Sequence, residues 1–303
     1  MKIAITGGTG FIGSHLARDL AEHGHQVVLI SRGVYARGSN TQPLENTLFL
    51  TVNTRDMQEL ERAFTGCEAV AHCAGTSVEE DAQSFEQVHV EGTRSAVSAA
   101  ERAGVKKFVL VSYLNVQPGT RSAYYETKWE GEEIVRQSKL NYTILKAGLV
   151  YGKGDHLLHN LGNLLRKLPV FAAVGLNEKT VRLVAVQDLV GIIRACLEDV
   201  NRLSRQTVAV IGPEEFPFST AARRIAKALG RPFLIVLPFP VAFHRMLAWF
   251  SESFMAHPLI TSSQVQMLAD GISKPRADSL LLPDDLNPKT FFTDEEIQKG
   301  LPN

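Results

Sequence analysis

The sequence predicts an α/β protein built on a doubly wound parallel sheet of order 3-2-1-4-5-6-7, with a small C-terminal α/β lobe. Two observations predict it. Short apolar runs alternate with helically periodic segments across the first half, as βα units require. A glycine-rich turn also joins the first apolar run directly to the first helical segment.

Lys2 to Thr6, Gln26 to Ser31, Thr47 to Val52, Ala69 to Cys73, Lys107 to Ser112 and Tyr142 to Lys146 read as strands. Between them Phe11 to His23, Asp56 to Phe64, Asp81 to Ala103 and Ser122 to Ser138 read as helices. In the third helix Phe85, Val88, Gly92, Ala96, Ala99 and Ala103 recur at helical spacing, which predicts one face against the sheet. After Gly152 the alternation weakens. Arg182 to Val186 and Gln206 to Ile211, around a helix that begins near Gln187, are expected to rejoin the main sheet. The expected division is therefore 1–152 plus 178–212 for the larger domain that carries the glycine-rich turn, and 153–177 plus 213–303 for a smaller substrate or partner lobe that would close over a ligand.

With 303 residues the chain can bury an ample core, and Lys plus Arg balance Asp plus Glu at 32 each. No overall field draws it to nucleic acid or to an anionic membrane, so a small ligand must be held by local chemistry. Cys67, Cys73 and Cys196 have no metal-ligand spacing and read as free packing thiols of a reducing compartment. Met1 is followed at once by a strand that the fold needs, so no cleavable leader is expected at this end and the cytoplasm is the expected location. Pro232 to Phe250 is apolar, but three prolines, His244 and Arg245 interrupt it; a buried strand and an amphipathic helix are expected there rather than a membrane span. Phe243, Leu247, Phe250 and Phe254 are helically spaced and read as core packing of the smaller lobe in preference to a lipid or quinone surface. His156 and His159 stand at i, i+3 without a third ligand, so no metal is expected.

The segment Thr6-Gly7-Gly8-Thr9-Gly10-Phe11-Ile12-Gly13 places glycines at 7, 10 and 13. Gly7 is expected to make the tight turn, Gly10 to let a pyrophosphate approach the backbone, and Gly13 to let helix pack on strand. The free N–H groups and dipole at the helix start then hold phosphates. The spacing predicts a Rossmann dinucleotide site. The second strand ends at Ser31-Arg32, where an acidic residue would grip an NAD ribose; Ser31 and Arg32, with Arg37 in the following loop, suit a 2′-phosphate and favour NADP over NAD.

These residues resemble the extended short-chain dehydrogenase/reductase superfamily. The likeness is carried by the glycine loop, by His72-Cys73-Ala74-Gly75, by Val90-Glu91-Gly92-Thr93, by Tyr124-Tyr125-Glu126-Thr127-Lys128, by Gly148-Leu149-Val150-Tyr151-Gly152 and by Val184-Ala185-Val186-Gln187-Asp188-Leu189. It implies that Tyr124 is the general acid or base, and that Lys128 binds the nicotinamide ribose and lowers the phenol pKa. It also places Thr9, Phe11, Ile12, Asn53, Thr54, Cys73, Ala74, Gly75, His89, Val111, Ala147, Gly148 and Val150 at the cofactor. Asn53 and Thr54 would lie beside the adenine, and the helices of 81 to 103 and 122 to 138 would form dimer faces in an oligomer.

Two polar positions depart from the family. Tyr113 stands where the resemblance places the catalytic Ser or Thr, Ser112 matches the preceding, usually structural, serine and joins Tyr124 and Lys128 as a catalytic candidate, and His89 replaces an Asn. Loss of one oxyanion donor costs ~3 to 4 kcal/mol of transition-state stabilisation. The pattern is similar to the atypical branch that includes the short-chain-dehydrogenase-like accessory subunit of respiratory complex I, whose members bind NADPH tightly. Pro258 to Leu268 and Leu286 to Phe292 also look like that branch. Two functions follow: an NADP(H)-dependent oxidoreductase or epimerase-like enzyme using Tyr124 and Lys128, or a non-catalytic NADPH-binding scaffold or redox sensor of a respiratory or quinone-related assembly, associated with a membrane or a protein complex.

Overall fold

The computed structural model describes residues 1–33, 45–79, 84–120, 122–254 and 260–301. Arg37, expected at the 2′-phosphate, lies outside them, as do Pro258 and Leu259. The chain divides into two compact units, 1–146 with 189–209 and 276–282, and 147–188 with 210–275 and 283–303.

In chain order the first unit begins with β1 (Lys2–Thr6), α1 (Phe11–Glu22), β2 (Gln26–Ser31), β3 (Thr47–Thr51), α2 (Met57–Phe64) and β4 (Ala69–His72). A π-helical turn (Glu86–Glu91) leads into α3 (Gly92–Arg102), followed by β5 (Lys107–Tyr113), α4 (Ala123–Gln137) and β6 (Tyr142–Ala147). The chain continues through β7 (Leu149–Tyr151), α5 (His156–Lys167), β8 (Val170–Val174), β9 (Thr180–Val181) and β10 (Leu183–Ala185). Then come α6 (Val186–Glu198), β11 (Gln206–Val210), β12 (Phe216–Pro217), α7 (Phe218–Ala228), β13 (Ile235–Phe239), α8 (Val241–Phe254), α9 (Ser262–Asp270), β14 (Leu280–Leu281) and α10 (Asp294–Gly300).

Among the described residues an eight-stranded sheet runs β14-β11-β6-β5-β4-β1-β2-β3. Its centre is parallel, with Ile3 beside both Val27 and Ala69, and Val70 beside Phe108. Ile3, Ala4 and Ile5 of β1 and Ala69, Val70 and Ala71 of β4 are all fully buried, the continuous apolar run expected of parallel strands covered on both faces. Ala4, Val28, Val70, Phe108 and Ile144 pack with Leu60, Phe64, Ala96 and Val135 in one cluster. At ~25 cal/mol per Å² such burial supplies the main driving force for the domain.

The doubly wound parallel architecture is the one expected, and the first six strands fall in the order 3-2-1-4-5-6. Two later strands correct the reading. Arg182 to Val186 does not rejoin the main sheet: β10 pairs in parallel with β7, Val184 beside Val150. The seventh place goes to β11, and an eighth strand, β14, joins it with Ala209 beside Leu281. Two-residue strands carry no period, so pattern alone misses them. The single helix expected over 81 to 103 is also broken, since residues 86–91 form a wider π-helical turn.

In the second unit β8 pairs with β13 over Val170–Val174, β9 meets β12 antiparallel, and α8 and α9 pack through Val174, Ala248 and Val265. Among the described residues no helix is long and apolar enough to cross a membrane.

Candidate functional site

The turn from β1 to α1 is built by close approach. Gly7 has φ +69°, and a Cβ there would lie 2.7 Å from the Ala74 nitrogen, so the turn abuts the backbone that follows β4. A Cβ on Gly13 would run into the Gly7 carbonyl oxygen and lie 2.9 Å from Gly8 Cα. Gly10 is the N-cap of α1 and provides no side-chain cap; its N–H donates to the Gly7 carbonyl at 2.9 Å. The N–H groups of Phe11, Ile12 and Gly13 therefore open the helix without a side-chain acceptor, which is the chemistry a diphosphate requires. The residues fit such a group: the close backbone approaches at Gly7 and Gly13 hold the turn tight, and no side chain caps the start of α1.

Thr9 Oγ1 and Ser31 Oγ are hydrogen-bonded at 2.7 Å, which ties the glycine turn to the end of β2. Arg32, next in sequence, is exposed. Asn53 is exposed as well, and its Oδ1 accepts from the Arg55 N–H at 3.1 Å, closing the loop after β3. Thr54 instead is buried under the start of α3, its hydroxyl 3.1 Å from where a Cβ on Gly92 would stand.

The chemistry-bearing side chains gather where β4, β5, the π-helical turn and α4 meet. Ala74, His89, Thr93, Leu110, Val111, Ser112, Lys128 and Gly131 line one cavity, and Gly75 approaches Lys128 Nζ and His89 Nε2. Lys128 lines it, and Tyr124, one helical turn earlier on α4, has its phenol ring centroid 5.7 Å from Lys128 Nζ. Burial pulls the Lys128 ammonium down to about 8, against the opposing charge of Glu132. The Tyr124 phenol moves the other way from the expectation. Burial raises its pKa, with Tyr125 adding to the rise, and the ammonium lies over the ring. Cys73 also stays a thiol, pushed up to about 12 by burial.

His89 binds on both sides. Its Nδ1 meets Thr127 Oγ1 at 3.0 Å, and its Nε2 meets the backbone of Thr76, carbonyl at 3.0 Å and N–H at 3.2 Å. The ring stacks on Phe85 and meets the edge of Tyr124, both with centroids 5.5 Å apart. Burial, and secondarily the Lys128 charge, hold its pKa well below the usual value, so it is a neutral clamp between the loop after β4 and α4. The π-helical turn brings the backbone there against α4: a Cβ on Gly131 would lie 2.6 Å from the His89 carbonyl oxygen. Tyr113 is buried, stacked on Tyr125 and edge-on to Tyr124. Ser112 donates to the fully buried Glu132 at 2.5 Å.

A sequence profile described as NAD(P)H-binding matches residues 7–157. The ceramide reductase of Caulobacter vibrioides is 30% identical over 243 residues, which cover 78% of this chain and 74% of that protein. The chain belongs to the atypical extended short-chain dehydrogenase/reductase family. The 40 kDa subunit of mitochondrial NADH-ubiquinone oxidoreductase from Neurospora crassa is 25% identical over 254 residues; the match covers 81% of this chain and 66% of the subunit, just under two thirds of its length. In fold the chain is similar to the UDP-glucuronic acid 4-epimerase of Bacillus cereus solved with NAD, at a TM-score of 0.72 and 17% identity, covering 99% of this chain and 97% of the epimerase. NAD(P) is thus the cofactor class of this family member.

Sequence reasoning missed part of what supports the site in this dehydrogenase-like chain. Glu132, two turns beyond Tyr124 on α4, accepts from Ser112 and from Arg136 at 2.6 Å, and lies 3.5 Å from the fully buried Lys146 Nζ. Lys146 donates to the Val116 carbonyl at 2.8 Å and to Asp278 at 2.6 Å. Only the helical spacing of 124, 128 and 132 could have flagged Glu132. His72, at the end of β4, joins Thr6 at 2.7 Å to Thr93 at 3.2 Å. Of the remaining cofactor candidates, Ala147 ends β6, Gly148 donates to the Val210 carbonyl at 2.9 Å, and Val150 pairs with Val184; all three belong to the second unit. His159 Nε2 meets Asn163 Nδ2 at 3.1 Å, and no group of three potential metal ligands gathers among the described residues.

One packing expectation is overturned. The β13–α8 segment is neither a buried strand nor wholly a core helix: Leu247, Phe250 and Phe254 are exposed, as are Phe233, Ile235 and Leu237, while His244, Ala248 and Ser251 form the buried stripe. The helix is apolar around most of its circumference, so spacing alone could not say which face is covered.

Proposed function

We propose that this protein is an NADP(H)-dependent oxidoreductase acting on a carbonyl, or an epimerase built on the same half-reaction. Tyr124 exchanges the substrate proton and Lys128 orders the ribose beside it. The observation that carries the reading is the meeting of Tyr124 and Lys128 beside the cavity lined by Ala74, His89, Val111 and Ser112. Burial keeps the phenol protonated, which suits a donor in the reductive direction. The nicotinamide, when bound, supplies the hydride. The name of the Caulobacter relative, a ceramide reductase, supports an apolar carbonyl compound as substrate.

The first unit is the nucleotide domain in this proposal, and the second the substrate or partner lobe. NADP is favoured over NAD because Arg32 follows the Thr9–Ser31 link at the end of β2, where a planar donor fork suits a 2′-phosphate. Arg37 is the second candidate for that phosphate. Asn53 would pair with the adenine edge.

A second reading has its own support. Tyr113 fills the family's Ser position with an aromatic ring packed on Tyr124 and Tyr125, and a fungal relative is a respiratory-complex subunit, both favouring an NADPH-binding scaffold attached to a membrane or protein complex. Assaying NADPH oxidation against a panel of apolar ketones separates the two. The enzyme reading expects turnover that Tyr124→Phe lowers by about 10² to 10⁴-fold with NADPH affinity unchanged. NADPH binding without turnover on any ketone contradicts it and leaves the scaffold.

A further inference from the structure

The second unit carries an apolar surface that its own fold does not cover. Phe233 is 85% exposed, Phe254 69%, Trp249 62% and Phe250 58%, whereas most single exposed apolar residues of a soluble surface are isolated. Here they fall on consecutive elements. Val170 and Ile235 are paired neighbours in β8 and β13, as are Ala172 and Leu237, so Val170, Ile235 and Leu237 project from one face of that small sheet. The Phe239–Phe243 stack at 4.8 Å joins the end of β13 to the start of α8. Along α8, Met246, Trp249 and Phe250 recur at helical spacing opposite the buried stripe, and Phe250 packs on Phe254 at 4.6 Å.

Charge around this surface decides what it meets. The whole chain is electrically balanced, yet residues 164–170 and 230–254 carry Arg166, Lys167, Arg231 and Arg245 against Glu252 alone. Arg231 donates to the Leu165 carbonyl at 3.3 Å, which sets it beside Arg166 and Lys167 at the end of α5. Arg245 stands on α8 itself, bonded to Gln266 at 2.8 Å. Glu252 is held by the Ser262 N–H and hydroxyl at 2.8 and 2.6 Å. An aromatic and aliphatic surface with a cationic rim matches the acyl boundary and phosphate layer of an anionic bilayer, and Trp favours that interface.

We propose that β13 and α8 form a monotopic docking face that seats this protein on an anionic lipid bilayer, with Met246, Trp249, Phe250 and Phe254 entering the interface and Lys167, Arg231 and Arg245 meeting lipid phosphates. The docking does not depend on the oxidoreductase reading, and its test uses neither nucleotide nor turnover.

The full chain is sedimented with phosphatidylcholine vesicles with and without phosphatidylglycerol. Docking requires partition onto the anionic vesicles that weakens as salt rises, together with a blue shift of Trp249 emission in a Trp129→Phe background. Trp249→Glu with Phe250→Glu lowers that partition by about a hundredfold. Lys167→Gln and Arg245→Gln each lower it by about fivefold. These side chains are exposed, so an unchanged thermal midpoint shows that the variants fold. Failure to bind anionic vesicles, or equal binding by the double Glu variant, overturns the proposal. So does a concentration-dependent mass doubling in light scattering that the double variant abolishes, which would assign the face to a second copy.

Discussion

The β1–α1 turn and the β5–α4 site are neighbours in one domain, and they hold to the family pattern to different degrees. The turn keeps Gly7 and Gly13 because their contacts are backbone to backbone: Gly7 lies against Ala74, and Gly13 against Gly7. The β5–α4 site is made of side chains that can be exchanged if the space is refilled. There His89 clamps Thr76 and Thr127, and Tyr113 completes an aromatic group with Tyr124 and Tyr125. In the proposed function, nucleotide binding would rest on backbone geometry that no side chain can imitate, whereas proton chemistry would rest on side chains that can drift.

The largest effect in breaking this comparison is expected at Gly13. Gly13→Val forces apart two backbone segments, and is expected to cost ~3 kcal/mol in urea unfolding and to weaken NADPH binding by more than about 100-fold in calorimetry. His72 links the two regions, and burial lowers its pKa to about 3. Because the unfolded imidazole, near 6.5, binds the proton more readily, stability is complete above that pH and falls as pH drops toward 3. At pH 5 the loss is ~2 kcal/mol, and urea melts of His72→Asn should show a flatter profile between pH 7 and pH 5.

Smaller effects sharpen the comparison. Arg32→Ala should weaken NADPH by about tenfold, ~1.4 kcal/mol, and leave NADH almost unchanged, as loss of a single charge-assisted contact would. His89→Asn restores the family side chain at the cost of the double clamp. It should weaken NADPH by about fivefold, ~1 kcal/mol, and increase hydrogen exchange at the Thr76 amide.

How much of this was legible in the sequence follows from the same division. The first six strands and the glycine turn could be read because buried parallel strands are continuous apolar runs, and because only glycine tolerates the turn's contacts. β14 is too short to show a period, and β10 lies beside β7 by tertiary pairing that local pattern does not encode. Tyr124 and Lys128 were legible as a spaced pair, yet the direction of the phenol pKa was not, since it depends on burial under Phe85, His89 and Tyr113. Glu132 looked like one more charged residue of a helix until the fold placed it between Ser112 and Arg136 with no exposure to water. The apolar helix α8 was legible as a helix, but the side on which it meets solvent was not.

The most direct measurement is calorimetric titration of NADPH and NADH into the purified, folded protein and into Gly13→Val. Saturable uptake by the native chain, tighter for NADPH and abolished by the valine, is the expected result. Absence of uptake of either nucleotide up to millimolar concentration, or undiminished uptake by Gly13→Val, would contradict the claim that the β1–α1 turn grips the diphosphate.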